Sequence, residues 1–568
     1  MNILPTPKKI EIKEGFLKSN TIKIKNMPED VRIKNALDIF VIDNDGVLLQ
    51  IFMGNSLSEA YTILIECEKI TITSDGAAGV FYAIQTLKQI FTHDKIPCCY
   101  IEDAPDFAYR GFYHDVTRGK VPKISTIKKL IDNMAYYKLN SLQLYVEHTF
   151  EFKEFADSID RTGYLTAEEI REIDDYCRSN FIEFIPSLST FGHLYELLQK
   201  DRYKDLREIE DFKEGTLFWE DRMNHHTIDP TKEESFELIK RLIDQYIVNF
   251  SSDKFNICCD ETFDLKNGKH KDEDTGKLYI DFVTKIIKYV QGKGKTPMMW
   301  ADILLNYPEQ IDKLPENVNL LNWYYWKSPD EKTFKTIRDA KRTQIVCPGT
   351  STWSRLCEDY ELEIVNISEM AEYGYKYGAE GVLNTNWGDW GTPCSIELSM
   401  FGLVFGAEKS WNVSKEPDED YIKSVNWLLY KNEKGNEYIK KLSSLCSKIN
   451  WNELAKCYGN LLAGEARYDI EYPTEQDVSY VLDEGAKLIA HISSEKGQTS
   501  EYGRQIILAA EGTMVMAELF ALQSGYKIKR ITDTKKWLEK YKEKWLEANK
   551  KSELSEIEKM FITLDKND

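Results

Sequence analysis

Two adjacent carboxylates follow a short apolar run and are the residues best suited to acid–base chemistry. Asp260 and Glu261 come directly after Phe255–Cys259, which reads as a buried strand. Desolvating two acids is costly, so such a pair usually serves a purpose. Because like charges held close together raise the pKa of one carboxyl, one acid can stay protonated near neutral pH and act as a general acid. A helix cap followed by an ordinary first-turn acid is the alternative.

Histidine, tryptophan and further acids also follow predicted strands. His193 lies after predicted strand three, and the pairs Trp300/Asp302 and Trp387/Asp389 follow predicted strands five and eight. A lone His is more often structural, and a lone Trp is more often part of a core. However, Trp faces stack on sugar rings, and carboxylates accept hydrogen bonds from sugar hydroxyls. The recurrence of both residue types at strand ends therefore favours a carbohydrate pocket.

Tryptophan density supports this interpretation. Seven of the twelve Trp residues lie between residues 300 and 411, which is about a fifth of the chain. Trp323 ends predicted strand six, and Trp353 lies in the loop after predicted strand seven. Such a concentration indicates a stacking surface, with clustered core packing as the alternative.

Eight short apolar runs, separated by helical stretches, must position these residues. They are Arg110–His114, Ser141–Val146, Phe181–Pro186, Phe255–Cys259, Pro297–Trp300, Val318–Trp323, Gln344–Cys347 and Gly381–Leu383. This alternation predicts a (β/α)8 TIM barrel of the α/β class, whose active site lies at the C-terminal ends of the strands. An open doubly wound sheet would need a glycine-rich phosphate loop after its first strand, and the sequence has none.

The segments on either side of the barrel differ from it. The alternating run Lys69–Thr73 and the amphipathic stretch Val80–Phe91 predict a small α/β domain over residues 1–103. The barrel then spans residues 104–411. Residues 412–568 have helical spacing throughout and form the predicted α-helical C-terminal region.

Composition excludes several classes of partner. The 94 acids against 74 bases give a net charge of −20, which argues against nucleic acid or an anionic membrane as a partner. The eleven cysteines lack CxxC spacing, so we expect buried reduced thiols and neither a metal site nor an organic cofactor. No signal peptide is visible and no apolar run approaches a membrane span, so a cytoplasmic location is expected. No feature indicates a protein partner or an oligomeric state.

The ordered motifs resemble those of glycoside hydrolase family 20, the β-N-acetylhexosaminidases. The matching segments are Arg110-Gly-x-x-x-Asp-x-x-Arg118, Gly192-His193, Asp260-Glu261, Trp300-Ala-Asp302 and Trp387-Gly-Asp389. Residues 78–87 are also similar to the α/β domain that precedes the family's barrel. The usual His-x-Gly-Gly before the acid pair is Asn256-Ile-Cys-Cys259 here. The two cysteines are interpreted as filling the strand, because a cysteine nucleophile would need a basic neighbour.

The resemblance implies retaining hydrolysis of terminal β-linked GlcNAc or GalNAc, in which the substrate's own acetamido oxygen forms an oxazolinium intermediate. Glu261 would be the general acid and then the base, and Asp260 would hold the acetamido N–H. Arg110 would bind the C3 and C4 hydroxyls, and Asp389 those at C4 and C6. His193 would lie beside the acid pair.

The resemblance also implies a wall of aromatic residues around the sugar. Tyr324 and Tyr325 both lie near strand six, and which tyrosine would donate to the acetamido oxygen stays open. Glu147, preferred over His148, would support the acid pair. The expected substrate-binding residues are Arg110, Glu147, His193, Trp300, Asp302, Trp323, Tyr325, Trp353, Trp387 and Asp389.

Two other functions remain open from the sequence. A related acetamido-assisted glycosidase, such as a lacto-N-biosidase, would release a disaccharide. A non-catalytic glycan-binding protein would bind without turnover, although a pure binder has no need to bury two acids.

Overall fold

A six-stranded mixed sheet forms the first part of the chain. A computed structural model describes residues 1–158, 163–210, 215–224, 226–495 and 500–566. The sheet strands are β1 (Lys9–Phe16), β2 (Ile22–Lys25), β3 (Val47–Ser56), β4 (Tyr61–Ile65), β5 (Lys69–Gly76) and β6 (Pro97–Asp103). Their order is β1-β6-β4-β5-β3-β2, and the helices Val31–Leu37 and Ala77–Ile90 accompany them. The predicted small α/β domain is confirmed.

Eight parallel strands close into a barrel after this sheet. They are β7 (Tyr109–Asp115), β8 (Ser141–Val146), β9 (Glu183–Leu188), β10 (Lys254–Asn256), β11 (Thr296–Trp300), β12 (Asn319–Trp323), β13 (Thr343–Cys347) and β14 (Gly381–Asn386). Pairing runs through the series from β7 to β14, and β14 returns to β7. The predicted (β/α)8 barrel is confirmed, because each apolar run is buried on both faces as a barrel strand requires.

Amphipathic helices surround the barrel. The helix Glu233–Ile247 buries Leu238, Leu242 and Tyr246 at four-residue spacing, which places one apolar face on the strands. The other barrel helices are Ile124–Tyr136, Ala167–Ser179, Tyr195–Leu198, Phe218–Asn224, Thr275–Gly292, Asp302–Leu305, Glu331–Asp339, Tyr360–Lys376 and Met400–Trp411. Short helical turns occur at Lys153–Phe155, Asp201–Leu206, Phe263–Lys266, Pro308–Lys313 and Ile396–Ser399.

The C-terminal region is helical, as predicted. Its helices are Glu419–Val425, a π-helical turn Asn426–Tyr430, Gly435–Cys446, Trp451–Ala463, Glu475–Ser494, Glu501–Ser524, Thr534–Ala548 and Leu554–Asp565. Among the described residues, Glu501–Ser524 alone has the length and apolar composition of a membrane span, and 78% of its most apolar window is buried within the structure. This burial is typical of the core helix of a bundle.

One helix of this region is less exposed than its charge suggests. The many Lys and Glu residues between 535 and 551 predict a solvated surface helix. The helix Thr534–Ala548 instead buries Trp537, Tyr541 and Trp545, which recur every four residues on one face. The prediction is therefore wrong for that face.

Candidate active site

The acid pair lies in a strained turn at the C-terminal end of β10. The strand ends at Asn256, earlier than predicted, and the backbone turns through left-handed conformations at Cys258, Cys259 and Glu261, with φ of 57°, 67° and 48°. Such conformations cost energy in residues other than glycine and concentrate at functional sites. Asp260 is buried and lies outside any helix, which argues against the helix-cap interpretation.

His193 joins the two carboxylates. Its Nε2 lies 3.3 Å from Asp260 Oδ2 and 3.3 Å from Glu261 Oε2. The ring stacks on His226 at a centroid distance of 4.7 Å, and the His193 backbone N–H donates to His226 Nδ1 over 3.0 Å. Burial alone lowers the pKa of His193, but the charge of Asp260 and the close approach of both carboxylates raise it well above its ordinary value.

Glu261 is the more exposed acid of the pair, with a side chain that is 38% exposed. Burial alone would raise its pKa. The hydrogen bond and charge of His193, together with the charge of Arg118, lower the pKa of Glu261 to about 2. The two pKa directions together favour an imidazolium at His193 beside an ionised Glu261 carboxylate in the free protein.

Asp302 supports the pair from behind. Its Oδ2 accepts a hydrogen bond from the Glu261 backbone N–H over 3.1 Å. Burial and the nearby charge of Asp260 raise the pKa of Asp302 to about 7. The sequence predicts that Asp302 touches the sugar. Its position in the structure is better suited to holding the turn that carries Glu261.

A buried arginine links two strand-end loops across the pocket. Arg118 forms an ion pair with Asp389, and its Nε lies 3.6 Å from Glu147 Oε1. Asp115 fixes this geometry, because its carboxylate accepts hydrogen bonds from the backbone N–H groups of Arg118 (3.1 Å) and Gly388 (3.0 Å). The loops after β7 and β14 are thereby joined.

Glu147 supports this arginine. Its carboxylate accepts a hydrogen bond from the Tyr145 hydroxyl over 2.8 Å. Burial would raise the pKa of Glu147, but the His148 imidazole, whose Nδ1 lies 3.7 Å away, and the charge of Arg118 hold it below its usual range. Glu147 therefore stays ionised and acts on the acid pair through Arg118 and His193.

Aromatic rings form the remaining walls. Trp300 and Trp387 lie with ring centroids 5.9 Å apart, and Trp323 stacks on Tyr325 at 5.0 Å. The Tyr325 hydroxyl accepts a hydrogen bond from Trp387 Nε1 over 2.8 Å. Trp353 contacts Tyr325 at a centroid distance of 5.4 Å and so supports the wall indirectly.

One pocket collects most of the predicted residues. Its lining is Arg118, Met223, Asp260, Glu261, Trp300, Trp323, Tyr325, Trp387 and Asp389. His193 lies behind this lining in contact with both acids. The arrangement provides a proton donor, a second carboxylate, a charged hydroxyl-binding pair and apolar ring faces.

Arg110 is the predicted site residue that the structure moves elsewhere. It lies near the start of β7, at the opposite end of the barrel from the acid pair. Its buried guanidinium donates to both carboxylate oxygens of Glu59 over 2.7 and 2.9 Å and to the carbonyl oxygens of Phe107 and Lys138. The expectation that Arg110 binds sugar hydroxyls is wrong, because this side chain ties the N-terminal sheet domain to the barrel.

Sequence reasoning missed three residues of the site. Arg118 closes the same motif that Arg110 opens, so the signal was present but assigned to the wrong arginine. His226 and Met223 come from the long segment between β9 and β10, and no motif marks them. Their positions depend on contacts such as that between His226 and His193.

A second cluster of ionisable residues lies outside the pocket. Ligand atoms of Glu208, Asp229 and His270 lie within 4.8 Å of one another. His270 Nδ1 is 2.8 Å from Glu208, Asp229 accepts a hydrogen bond from the Thr231 hydroxyl, and Lys269 Nζ lies 3.8 Å from Asp229. These polar contacts between loops explain why the three side chains lie close together.

The fold and the pocket define a barrel glycoside hydrolase. Residues 107–354 match the catalytic domain of glycosyl hydrolase family 20, and residues 1–104 match domain 2 of that family. The chain belongs to glycosyl hydrolase family 20.

Individual relatives are distant. A Beta-hexosaminidase of Porphyromonas gingivalis is 26% identical over 283 residues, which cover 43% of this chain and 36% of that protein. The chain therefore matches about a third of the length of that relative. A chitobiase of Flavobacterium johnsoniae has a TM-score of 0.62 at 18% identity, covering 95% of this chain and 96% of that one.

A second solved structure has the same fold. The exo β-N-acetylglucosaminidase of Vibrio harveyi, in complex with N-acetylglucosamine, has a TM-score of 0.61 at 18% identity, covering 76% of this chain and 77% of that one. At these identities, the two structures establish the fold.

Proposed function

We propose that this protein is an exo-acting, retaining β-N-acetylhexosaminidase that removes terminal non-reducing β-linked GlcNAc or GalNAc. The observation that carries the proposal is the Asp260–Glu261 pair, joined by His193 and set against tryptophan rings. Family membership supports it, as do a relative named Beta-hexosaminidase and a neighbour that binds N-acetylglucosamine.

In the first step, the nucleophile is the acetamido group of the substrate itself. The acetamido oxygen bonds to the anomeric carbon while the bond from that carbon to the leaving oxygen breaks, and Glu261 gives its proton to the departing oxygen. An oxazolinium ring results. Asp260 accepts a hydrogen bond from the ring N–H and stabilises its positive charge.

The second step uses water as the only co-reactant. Water attacks the anomeric carbon, its proton passes to the Glu261 carboxylate, and the bond between that carbon and the acetamido oxygen breaks. Two successive displacements at one carbon return the sugar in its original β configuration. Glu261 is again protonated, so the cycle closes.

Tyr325 is the tyrosine best placed to orient the acetamido oxygen. Its oxygen accepts a hydrogen bond from Trp387 Nε1 in the pocket wall. Burial raises the pKa of Tyr325 well above its ordinary value, so the hydroxyl keeps a proton to donate. Arg118 and Asp389 would hold the sugar hydroxyls at the other side, with Arg118 in the role first expected of Arg110.

The proton required by Glu261 has a nearby source. In the free protein it resides on His193, 3.3 Å from the Glu261 carboxylate. A bound sugar would cover the exposed face of Glu261, and loss of water raises the pKa of a carboxyl. The proton would then move from His193 to Glu261 before the first step.

We also propose a reducing, cytoplasmic location. All eleven cysteines are free thiols and ten of them are buried, which suits a protein that has no need of disulfides.

A panel of aryl β-glycosides with and without the 2-acetamido group tests the proposed function. We expect turnover only of glycosides that carry the acetamido group. NMR should detect the β anomer of the released sugar before the α anomer. Glu261→Gln should lower kcat on an unactivated glycoside by about 10²–10⁴-fold, with the isosteric Asp260→Asn similarly impaired. Equal rates on plain glucosides would contradict assisted catalysis, and disaccharide release would favour the lacto-N-biosidase alternative.

A further inference from the structure

A strap from the C-terminal region lies along the loop that carries Arg118. The Lys550 backbone N–H donates to the Val121 carbonyl over 2.8 Å, and the Val121 N–H donates to Ser552 Oγ over 3.0 Å. The Glu553 N–H donates to the Gly119 carbonyl over 3.3 Å. Residues 548–553, here called the strap, are thus fastened to the residues directly after Arg118.

Glu553 reaches from the strap to a second wall of the pocket. Its side chain is 1% exposed and forms an ion pair with Arg222 at 2.5 Å, and it accepts a hydrogen bond from Trp219 Nε1 over 3.0 Å. Arg222 also lies 3.4 Å from Glu196. Both partners of Glu553 belong to the helix Phe218–Asn224, which supplies Met223 to the pocket lining.

The same helix is packed tightly against the loop after β14. A Cβ on Gly391 would lie 2.9 Å from the Trp219 ring, and one on Gly119 would lie 2.5 Å from the Gly391 carbonyl group. Trp219 therefore touches the loop that carries Asp389, with little room between the loops after β7 and β14. A shift of the helix would move Met223. It would also displace the two loops that carry Arg118 and Asp389.

We propose that Glu553 is a positioning residue for the active site, and that the strap is the part of the C-terminal region that completes the pocket. The buried charge of Glu553 holds Arg222 and Trp219 so that Met223 lies against the bound sugar. Removing the Glu553 carboxylate takes away a 2.5 Å partner of Arg222, whose contact with Glu196 is longer at 3.4 Å, and an acceptor of Trp219 Nε1, so the helix would relax. This inference rests on the proposed hexosaminidase activity.

The test measures KM and kcat on an aryl N-acetyl-β-glucosaminide with the full chain. For Glu553→Ala we expect KM to rise about tenfold or more, with a smaller change in kcat, because a misplaced wall weakens binding of both ground and transition state. Glu553→Gln keeps an acceptor for Trp219 and should lie between Glu553→Ala and the wild type. Wild-type KM and kcat in a folded Glu553→Ala protein would overturn the inference.

Glu518→Gln is the matched control. Glu518 is equally buried in the C-terminal helices, where it accepts hydrogen bonds from the backbone of Ile531 and Thr532, away from the pocket. This variant should lower Tm without changing KM. An equal rise in KM would show that general loosening of the helical region, and not the Glu553 contact, controls binding.

A double-mutant cycle remains informative if Glu553→Ala fails to fold. Met223→Ala removes the wall directly and should raise KM by itself. If Glu553 acts through Met223, adding Glu553→Gln to Met223→Ala should change KM by less than about twofold. Additive effects would overturn the inference. Absence of wild-type turnover on every glycoside would instead refute the proposed function.

Discussion

At the scale of single residues, His193 determines where the catalytic proton rests. The imidazole bridges two carboxylates, and these acids raise its pKa while it lowers that of Glu261. The titrations of His193 and Glu261 are therefore coupled, and apparent pKa values belong to this pair. Activity that needs an acid must fall when this proton is lost.

The pH profile of kcat/KM tests this arrangement. For a glycoside whose leaving group needs protonation, we expect the basic limb to lie above pH 6.5, since the pKa of His193 is raised. His193→Asn should lower kcat by about 10–100-fold and move the basic limb to lower pH, because Glu261 then holds the proton alone. An aryl glycoside with a very acidic leaving group is the control and should show little basic limb. An unmoved limb in His193→Asn would refute the coupled titration.

At the scale of elements, one arginine fastens two domains. The Arg110 guanidinium on β7 is paired with Glu59 of the loop between β3 and β4, and its carbon Cζ lies 5.0 Å from the Trp411 ring centroid. Nearby, Lys138 and Asp103 form a second ion pair at 3.0 Å, and this one is fully buried. The N-terminal sheet therefore covers the end of the barrel remote from the pocket.

Glu59→Gln separates this structural role from sugar binding. It leaves the buried Arg110 guanidinium without its counter-charge, and we expect a loss of about 2–4 kcal/mol in unfolding free energy with KM unchanged. Arg118→Met is the contrasting variant and should raise KM sharply. Denaturant unfolding and steady-state kinetics measure the two effects. A raised KM with unchanged stability in Glu59→Gln would restore Arg110 to the binding site.

The two arginines also show how far the sequence predicts the structure. Apolar runs identify the barrel, because strand burial is a local pattern, and the acid pair follows a strand directly. The sequence also distinguishes Arg110 from Arg118, because Arg110 begins the first predicted strand, Arg118 follows it, and a barrel site lies at the C-terminal strand ends. The sequence does not show where the Arg118 guanidinium is held. That position is fixed by Asp115 and Gly388, which bond across 273 residues of sequence. Contacts between distant segments leave no pattern in the local sequence. For the same reason, the sequence does not predict the strap.

At the scale of the whole molecule, a buried carboxyl pair lies between the barrel and the C-terminal helices. Glu358 and Glu363 are both fully buried, and Glu358 accepts a hydrogen bond from the Gly402 backbone N–H over 3.0 Å. Burial raises the pKa of Glu358 to about 8, and burial together with the charge of Glu358 raises the pKa of Glu363 well above its ordinary value. The folded protein therefore binds these protons more tightly than the unfolded chain does.

The free energy of unfolding should consequently fall as pH rises from about 4.5 towards 8 and beyond. Over this range the carboxyls are ionised in the unfolded chain but still hold their protons in the folded protein. Glu363→Gln removes one ionisable group, so we expect its Tm to exceed that of the wild type by about 2–4 °C at pH 8.5 and to match it near pH 5. Thermal unfolding at both values measures this. Glu361→Gln, at an exposed position of the same helix, is the control. If the Tm difference between Glu363→Gln and the wild type were the same at both pH values, ionisation of the Glu358–Glu363 pair would be excluded as its cause.

The contact between Arg222 and Glu553 has a consequence for protein synthesis. These residues are separated by 331 positions, so the ribosome makes the helix Phe218–Asn224 long before its buried partner exists. At about 5–20 residues per second, the interval is roughly 15–70 s. During that time the barrel strands can be complete while Arg222 lacks Glu553. If Glu553 positions the pocket as proposed, a nascent chain acquires its finished pocket only after Glu553 has been made, and productive substrate binding waits until then.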